Sequence, residues 1–235
     1  MINVEVLKSI LLKRRSMRVR FKFPMPIRDV HDELLAAVMA EVEFRQMDFV
    51  ASKVLDAQLW KMAKWLTCDK PKFGIILCGL YGNGKSTFMK AFQQLLNYHR
   101  YENPNDPGSV YGMRIIHAKE IAYLSKEKYD DFRKIAMTPM LGIDDLGVEA
   151  IEVLDFGNVV TPLIDLISIR YEEQLFTMIT TNLKPNDIRE RYGDRIADRF
   201  NEMLEKIVFE NPSYRTSKKK QKIESEQQNK QEQQK

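Results

Sequence analysis

A strand-like run, Phe73-Gly74-Ile75-Ile76-Leu77-Cys78, passes without a break into Gly79-Leu80-Tyr81-Gly82-Asn83-Gly84-Lys85-Ser86-Thr87, and no other feature limits the possible folds as much. A short, continuous apolar run reads as a buried strand. The residues after it match G-x-x-x-x-G-K-[ST], where glycines permit the turns that aim successive backbone N–H groups at a phosphate. Phe88, Ala91, Phe92, Leu95 and Leu96 then recur at helical spacing. Strand, glycine-rich loop and helix N-terminus in that order form an anion cradle. Lys85 is expected to reach the β- and γ-oxygens, and the Ser86 hydroxyl to ligate Mg²⁺. Asn83 is read as a turn residue that tolerates left-handed backbone.

A phosphate loop alone does not separate a kinase from a GTPase or an ATPase, so the acids matter. Met140-Leu141-Gly142-Ile143-Asp144-Asp145-Leu146-Gly147 reads as a strand ending in paired carboxylates. On a neighbouring parallel strand, Asp144 would hold the metal through its water shell and Asp145 would polarise an attacking water. Two acids in a surface turn are the plainer alternative. A further strand, Leu175 to Thr181, ends at Asn182, whose amide could orient that water or reach the γ-phosphate, or simply close a turn. With Met113 to His117, these segments alternate with helical patterns from Phe73 onward, which argues for an α/β domain with a mainly parallel sheet.

The remainder is more mixed. No apolar run in the 235 residues approaches the ~20 needed to cross a bilayer, and no signal-peptide core is present, so a cytoplasmic protein with no membrane partner is expected. Cys68 and Cys78 show no CxxC spacing and are read as free thiols, and His31, His99 and His117 lack metal-ligand spacing. Residues 1–28 carry net +7 and residues 217–235 net +3, so with the whole chain at +4 the centre carries −6. Basic ends suit nucleic acid, a solvated arm or an acidic protein partner. Residues 1–15 read as a short basic helix and Arg18 to Phe23 as an exposed strand ended by Pro24 and Pro26. Leu35, Val38, Met39 and Val42 fall at helical spacing. A further helix from about Asp48 to Leu66 turns Val50, Val54, Leu55, Leu59, Met62 and Leu66 inward, with Trp60 and Trp65 as core anchors. Lys70-Pro71-Lys72 makes a boundary, giving a mainly helical, partner-docking segment over 1–70, an α/β domain over 71–216 and a disordered Lys/Gln-rich tail over 217–235.

The set Gly79–Thr87, Ile143-Asp144-Asp145-Leu146-Gly147 and Ile179-Thr180-Thr181-Asn182-Leu183 resembles the AAA+ ATPases of the bacterial helicase-loader clade (DnaC/DnaI-like) and the related transposition ATPases (IstB-like). The resemblance covers about Phe73 to Arg215. It implies a P-loop NTPase with a parallel sheet flanked by helices and no C-terminal lid. It further implies ATP and Mg²⁺ as cofactors, and a homo-oligomer that shares its ATP sites. Arg191-Tyr192-Gly193-Asp194-Arg195-Ile196-Ala197-Asp198-Arg199-Phe200 is similar to the family's box VII, which supplies an arginine finger to the neighbouring subunit. Arg199 matches that position best, then Arg195. A helix face with ion pairs to Asp194, Asp198 and Glu202 is the alternative for both. In Ser213-Tyr214-Arg215 the resemblance makes Arg215 a second sensor. Ala118 to Pro139 corresponds to inserted helices that face single-stranded DNA in the clade, with Tyr123 and Tyr129 available to stack on bases; a solvated helical face is the alternative. The implied function is ATP-dependent loading of a replicative helicase onto single-stranded DNA. Rival readings are an IstB-like ATPase serving a transposase on duplex DNA, a P-loop small-molecule kinase, and a DNA-binding module that does not hydrolyse ATP. Many members carry Asp-Glu where this chain has Asp144-Asp145, which implies slow hydrolysis.

Overall fold

The chain is described by a computed structural model over residues 3–13, 18–69, 72–155 and 158–214. Arg215 and the tail expected over 217–235 lie outside the described residues, as do Lys70 and Pro71 of the expected boundary. Helices α1 (Val4–Lys13), α2 (Ile27–Phe44) and α3 (Lys53–Thr67) precede strand β1 (Gly74–Gly79) and helix α4 (Lys85–His99). Next come β2 (Met113–His117), α5 (Ala118–Glu127), α6 (Tyr129–Ala136), β3 (Met140–Leu146) and a hairpin of β4 (Val153–Asp155) and β5 (Asn158–Val160). The described chain closes with α7 (Pro162–Glu172), β6 (Phe176–Thr181), α8 (Pro185–Tyr192), α9 (Asp194–Met203) and β7 (Leu204–Phe209). Among the described residues no helix is long and apolar enough to cross a membrane.

Five strands pair in the order β2-β3-β6-β1-β7, every pair parallel. A parallel sheet needs a cover on both faces, and the period of two in a strand supplies apolar residues to each. In β1, Ile75 and Leu77 enter one core with α2, α3 and α4, while Ile76 and Cys78 enter the other with α5 to α9. Met140 and Leu141 divide in the same way, as do Met178 and Ile179. Each large aliphatic side chain so buried contributes about 1.5–3 kcal/mol.

Several expectations about the N-terminal segment are corrected. Residues 18–23 are extended but join no strand. Phe21 and Phe23 turn into the core beside Phe92, the Phe23 N–H donates to the Leu66 carbonyl (2.9 Å), and the Val19 N–H donates to Asn105 Oδ1 (2.7 Å). Val30, Leu34, Leu59, Met62 and Leu66 share that core with Phe88, Phe92 and Leu96 of α4, so residues 18–69 are one layer of the domain that contains the phosphate loop. Helix α3 begins at Lys53, where the Ser52 side chain caps the Leu55 N–H (3.1 Å), which leaves Val50 and Val54 exposed. Trp65 is buried, but Trp60 lies at the surface, stacked on His31 at 4.2 Å. In α1, by contrast, Val4, Val6, Leu7, Ile10, Leu11 and Leu12 are all exposed.

One buried cation ties the second layer together. Arg170 of α7 is wholly buried and donates to Thr177 Oγ1 (2.9 Å), to the Ala136 (2.9 Å) and Thr138 (2.8 Å) carbonyls and to the Phe176 carbonyl. Four neutral acceptors thus take the place of a carboxylate. Burial pushes its pKa down to about 9, so it stays charged at neutral pH.

Candidate functional site

Parallel strands finish on one edge of a sheet, and the tips of β1, β3 and β6 meet there. Gly82 (φ 75°) and Gly84 (φ 99°) supply the left-handed backbone of the loop after β1. Asn83 lies outside that region, and its side chain has a different task from the turn role expected of it. It is buried, with Nδ2 donating to the Phe209 carbonyl (2.9 Å) and Oδ1 accepting from Lys85 Nζ (3.0 Å), which pins the loop to β7. Leu80 and Tyr81 are exposed, and Thr87 is half-buried.

Lys85 folds back into the loop. Its Nζ also donates to the Gly79 (2.9 Å) and Leu80 (2.7 Å) carbonyls and to Asn182 Oδ1 at the end of β6 (2.9 Å). Ser86 Oγ donates to Asp144 Oδ1 at 2.7 Å. Thr180 Oγ1 donates to the same oxygen (2.6 Å) and accepts the Asp145 N–H (2.8 Å), so one hydroxyl orders both acids. The structure thus pairs Lys85 with Asn182 and Ser86 with Asp144 by hydrogen bonds at the same end of the sheet. A hydroxyl beside a carboxylate is a donor set suited to Mg²⁺. Among the described residues no group of three or more His, Cys, Asp or Glu side chains could hold a metal ion.

Asp145 occupies left-handed backbone (φ 58°), which an Asp tolerates better than most residues. The carboxylate is 42% exposed and its Oδ2 lies 3.7 Å from His117 Nε2. His117 Nδ1 accepts the Lys119 N–H (3.2 Å), so the neutral ring carries its proton on Nε2, toward Asp145. The sequence reading treats His117 as an ordinary structural residue, yet the β2 register sets it opposite Asp144.

Two further groups frame the site, one of them ending at Tyr214 of the Ser213-Tyr214-Arg215 run and the other without a motif. After β7 the chain crosses the phosphate loop. The Tyr214 N–H donates to the Gly82 carbonyl (2.9 Å), Asn211 Nδ2 donates to the Asn83 carbonyl (3.0 Å), and Gln58 Nε2 of α3 donates to Asn211 Oδ1 (3.1 Å). The Tyr214 ring lies 3.5 Å from where a Cβ on Gly84 would stand. Beyond β3, the Gly147 N–H (φ 109°) donates to Glu149 Oε2 (2.9 Å). The Glu149 carboxylate, side chain 1% exposed, also accepts from the Tyr192 hydroxyl, while Arg191 donates to the Glu149 carbonyl. Burial and that carboxylate push the Tyr192 phenol well above its usual range, so it remains a donor.

The box VII arginines lie apart from this group. Arg199 is buried, donates to Ser168 Oγ and to Glu172 Oε1 (3.1 Å) of α7, and stands 4.9 Å over the Tyr171 ring. Arg195 is exposed on the rim of an open groove of about 410 Å³ that Arg133, Met137, Ser168 and Glu172 also line. The ion pairs weighed for these arginines form elsewhere: Asp194 and Asp198 both meet Arg189, and Glu202 accepts from Tyr171. On α5 and α6, Ile121, Leu124, Phe132 and Ile135 point inward, and Tyr123 and Tyr129 are exposed.

No protein-family model matches the chain, and no curated protein does. Solved structures do. A crystal structure of the DnaC helicase loader is 20% identical over 69% of this chain and 93% of that one, with a TM-score of 0.53. The chain shares the α/β fold of that structure. The DnaI structure is 18% identical over 80% of this chain and 96% of that one, TM-score 0.53. A putative primosome component from Streptococcus pyogenes serotype M3 is 16% identical over 83% and 93%, TM-score 0.52. The sheet order leaves β1 between β6 and the edge strand β7, so the phosphate loop lies one strand in from that edge.

Proposed function

We propose that the protein binds and hydrolyses ATP with Mg²⁺, assembles through shared ATP sites and serves DNA replication as a helicase loader. The observation that carries this reading is the pairing of Lys85 with Asn182 and of Ser86 with Asp144 at the ends of β1, β3 and β6. The fold neighbours, a helicase loader and a primosome component by their descriptions, support the replication setting.

Residues 79–87 would wrap the β- and γ-phosphates with backbone N–H groups, and Lys85 would exchange its carbonyl partners for phosphate oxygens. Mg²⁺ held by Ser86 and Asp144 would screen charge between the two phosphates. The exposed Asp145 carboxylate would take the proton of the attacking water, with Asn182 placing that water or the γ-phosphate. Arg195 suits the finger role better than Arg199, because a residue that reaches a neighbour's γ-phosphate must be free to leave its own subunit's surface. Basic residues of α5 and α6 with Tyr123 and Tyr129 would meet single-stranded DNA, and the exposed apolar face of α1 would engage the helicase.

The test is ATP turnover against protein concentration, with single-stranded or duplex DNA at matched salt. The rate per subunit should rise with concentration and with single-stranded DNA. Lys85→Ala should abolish ATP binding, and Arg195→Ala should flatten the concentration dependence while sparing binding. Arg199→Ala should chiefly lower stability. Unchanged ATP binding in Lys85→Ala refutes the nucleotide assignment, and a flat wild-type rate untouched by Arg195→Ala refutes the shared site.

A further inference from the structure

Between the acid pair and the neighbour-facing helix lies a buried carboxylate that the reaction as described does not use. Glu149 sits four residues beyond Asp145 with its side chain almost wholly enclosed. An enclosed carboxylate is costly unless donors surround it, and here they come from two directions. On one side is the Gly147 N–H, at 2.9 Å, on the turn that carries Asp145. On the other are the Tyr192 hydroxyl and the Arg191 guanidinium, the latter 3.6 Å from Oε1, at the C-terminal end of α8. Only Gly193, with φ 83°, separates Tyr192 from the first residue of α9, the helix that carries Arg195.

The turn itself has little freedom. Asp145 and Gly147 both occupy left-handed backbone, the β3–β6 register shifts between Ile143 and Leu146, and the Leu183 side chain packs within 2.8 Å of where a Gly147 Cβ would stand. Thr180 fixes the Asp145 N–H from the β6 side. Thr181 Oγ1 also donates to the Leu146 carbonyl (2.8 Å) from β6, and on the side toward α8 the turn is attached through the Gly147 N–H to Glu149, so a displacement of α8 acts on the Asp145 backbone through Glu149.

We propose that Glu149, held by Tyr192 and Arg191, is a positioning residue that couples the Arg195 helix to Asp145, so that engagement of Arg195 with a neighbouring subunit's triphosphate sets the general base of its own site. This rests on the shared-site reading above. When α9 is drawn toward a neighbour, α8 follows across Gly193, and the Tyr192 and Arg191 donors carry the Glu149 carboxylate with them. Hydrolysis at one site then depends on whether that subunit's arginine is occupied, which orders turnover around an assembly.

The test is a double-mutant cycle on the full chain, using Tyr192→Phe and Arg195→Ala, with turnover read against protein and ATP concentration. Tyr192→Phe keeps the buried ring and deletes one donor to Glu149. Its maximal rate should fall about tenfold, equivalent to about 1.4 kcal/mol, with the KM for ATP within about twofold of wild type and the concentration dependence weakened. The double variant should be no slower than Arg195→Ala alone, because both changes break one line of coupling. Glu149→Gln should show the same pattern. Effects that multiply in the double variant, or a Tyr192→Phe defect that appears in KM and the urea midpoint but not in maximal rate, overturn the coupling while leaving the ATPase reading intact. A wild-type protein that fails to bind ATP removes both.

Discussion

Replacing Asn211 with alanine tests whether the segment after β7 holds the phosphate loop in shape. The change deletes the bond from Asn211 Nδ2 to the Asn83 carbonyl (3.0 Å) and the one it accepts from Gln58 Nε2 (3.1 Å). Both former partners sit in buried residues, Gln58 at 3% and Asn83 at 1% exposure, so water cannot readily replace what is lost. A buried polar group left without its partner costs about 1–3 kcal/mol. Two such groups in one network are not independent, and a combined loss of about 2–4 kcal/mol is expected. Against a typical stability of about 5–15 kcal/mol the fold survives. If the loop absorbs about 1.4 kcal/mol of that loss, ATP binding weakens about tenfold. The assay is urea unfolding with and without saturating ATP and Mg²⁺. Ligand stabilisation follows the logarithm of ligand over Kd, so at equal ATP the variant should show a nucleotide-induced increment about 1.4 kcal/mol smaller than wild type. An apo stability within about 0.5 kcal/mol of wild type, the scatter of ordinary surface substitutions, would refute the reasoning about the segment. An equal ATP increment in both proteins would refute its link to the loop.

Thr180→Val should keep the volume of β6 while removing the hydroxyl shared by Asp144 and the Asp145 N–H; a loss of about 1–3 kcal/mol in urea unfolding and a fall in maximal ATPase rate larger than any change in KM are expected. Arg170→Met would leave four buried neutral acceptors without their donor and should destabilise by at least about 1–3 kcal/mol, the cost of one unsatisfied buried polar group, read from the urea midpoint. The same residue gives a pH signature. Its folded-state value of about 9 lies well below the ordinary guanidinium range, so from about 9 upward the unfolded chain holds the proton more tightly. Its contribution therefore makes wild-type stability rise with pH above 9, and the wild-type minus Arg170→Met difference in urea midpoint should trace that rise. Gly74→Ala would set a Cβ 2.4 Å from the Thr177 carbonyl of the neighbouring strand, and a lower melting temperature with reduced soluble yield should follow.

Features that depend on neighbours in the chain were legible in the sequence. The β1–loop–α4 unit, the acid pair at the end of β3 and the β6 tip are each contiguous, and their apolar patterns set both the strand and the face it buries. One local reading failed and one strand went unread, because the partner surface decides both. Arg18 to Phe23 alternates like a strand, but its phenyl rings are captured by Phe92 and the core under α2. Strand β7 lies at the sheet edge, where half its residues face outward, so Glu205, Lys206 and Val208 break the apolar run that marks an inner strand. The polar groups around the site were illegible for a different reason. Glu149 and Tyr192 meet across 43 residues, and Gln58 and Asn211 across 153, and no spacing rule joins residues so far apart. The exposure of Arg195 and burial of Arg199 likewise depend on where α7 packs against α9, a detail that helical period leaves open.

The meeting of α3 with β7 bears on how the chain comes off the ribosome. Leu34, Leu59 and Met62 lie in the same core as Ile207 and Phe209, near the end of the described chain, and β1 has β7 as one of its two sheet partners. Long-range pairing of this kind is slow because the intervening chain must be ordered before the contact forms. The apolar positions of the early helices that belong to this core therefore wait for β7 until translation of the residues between them is complete. During that interval the exposed apolar surface favours aggregation, and a translational pause before β7 would lengthen the exposure.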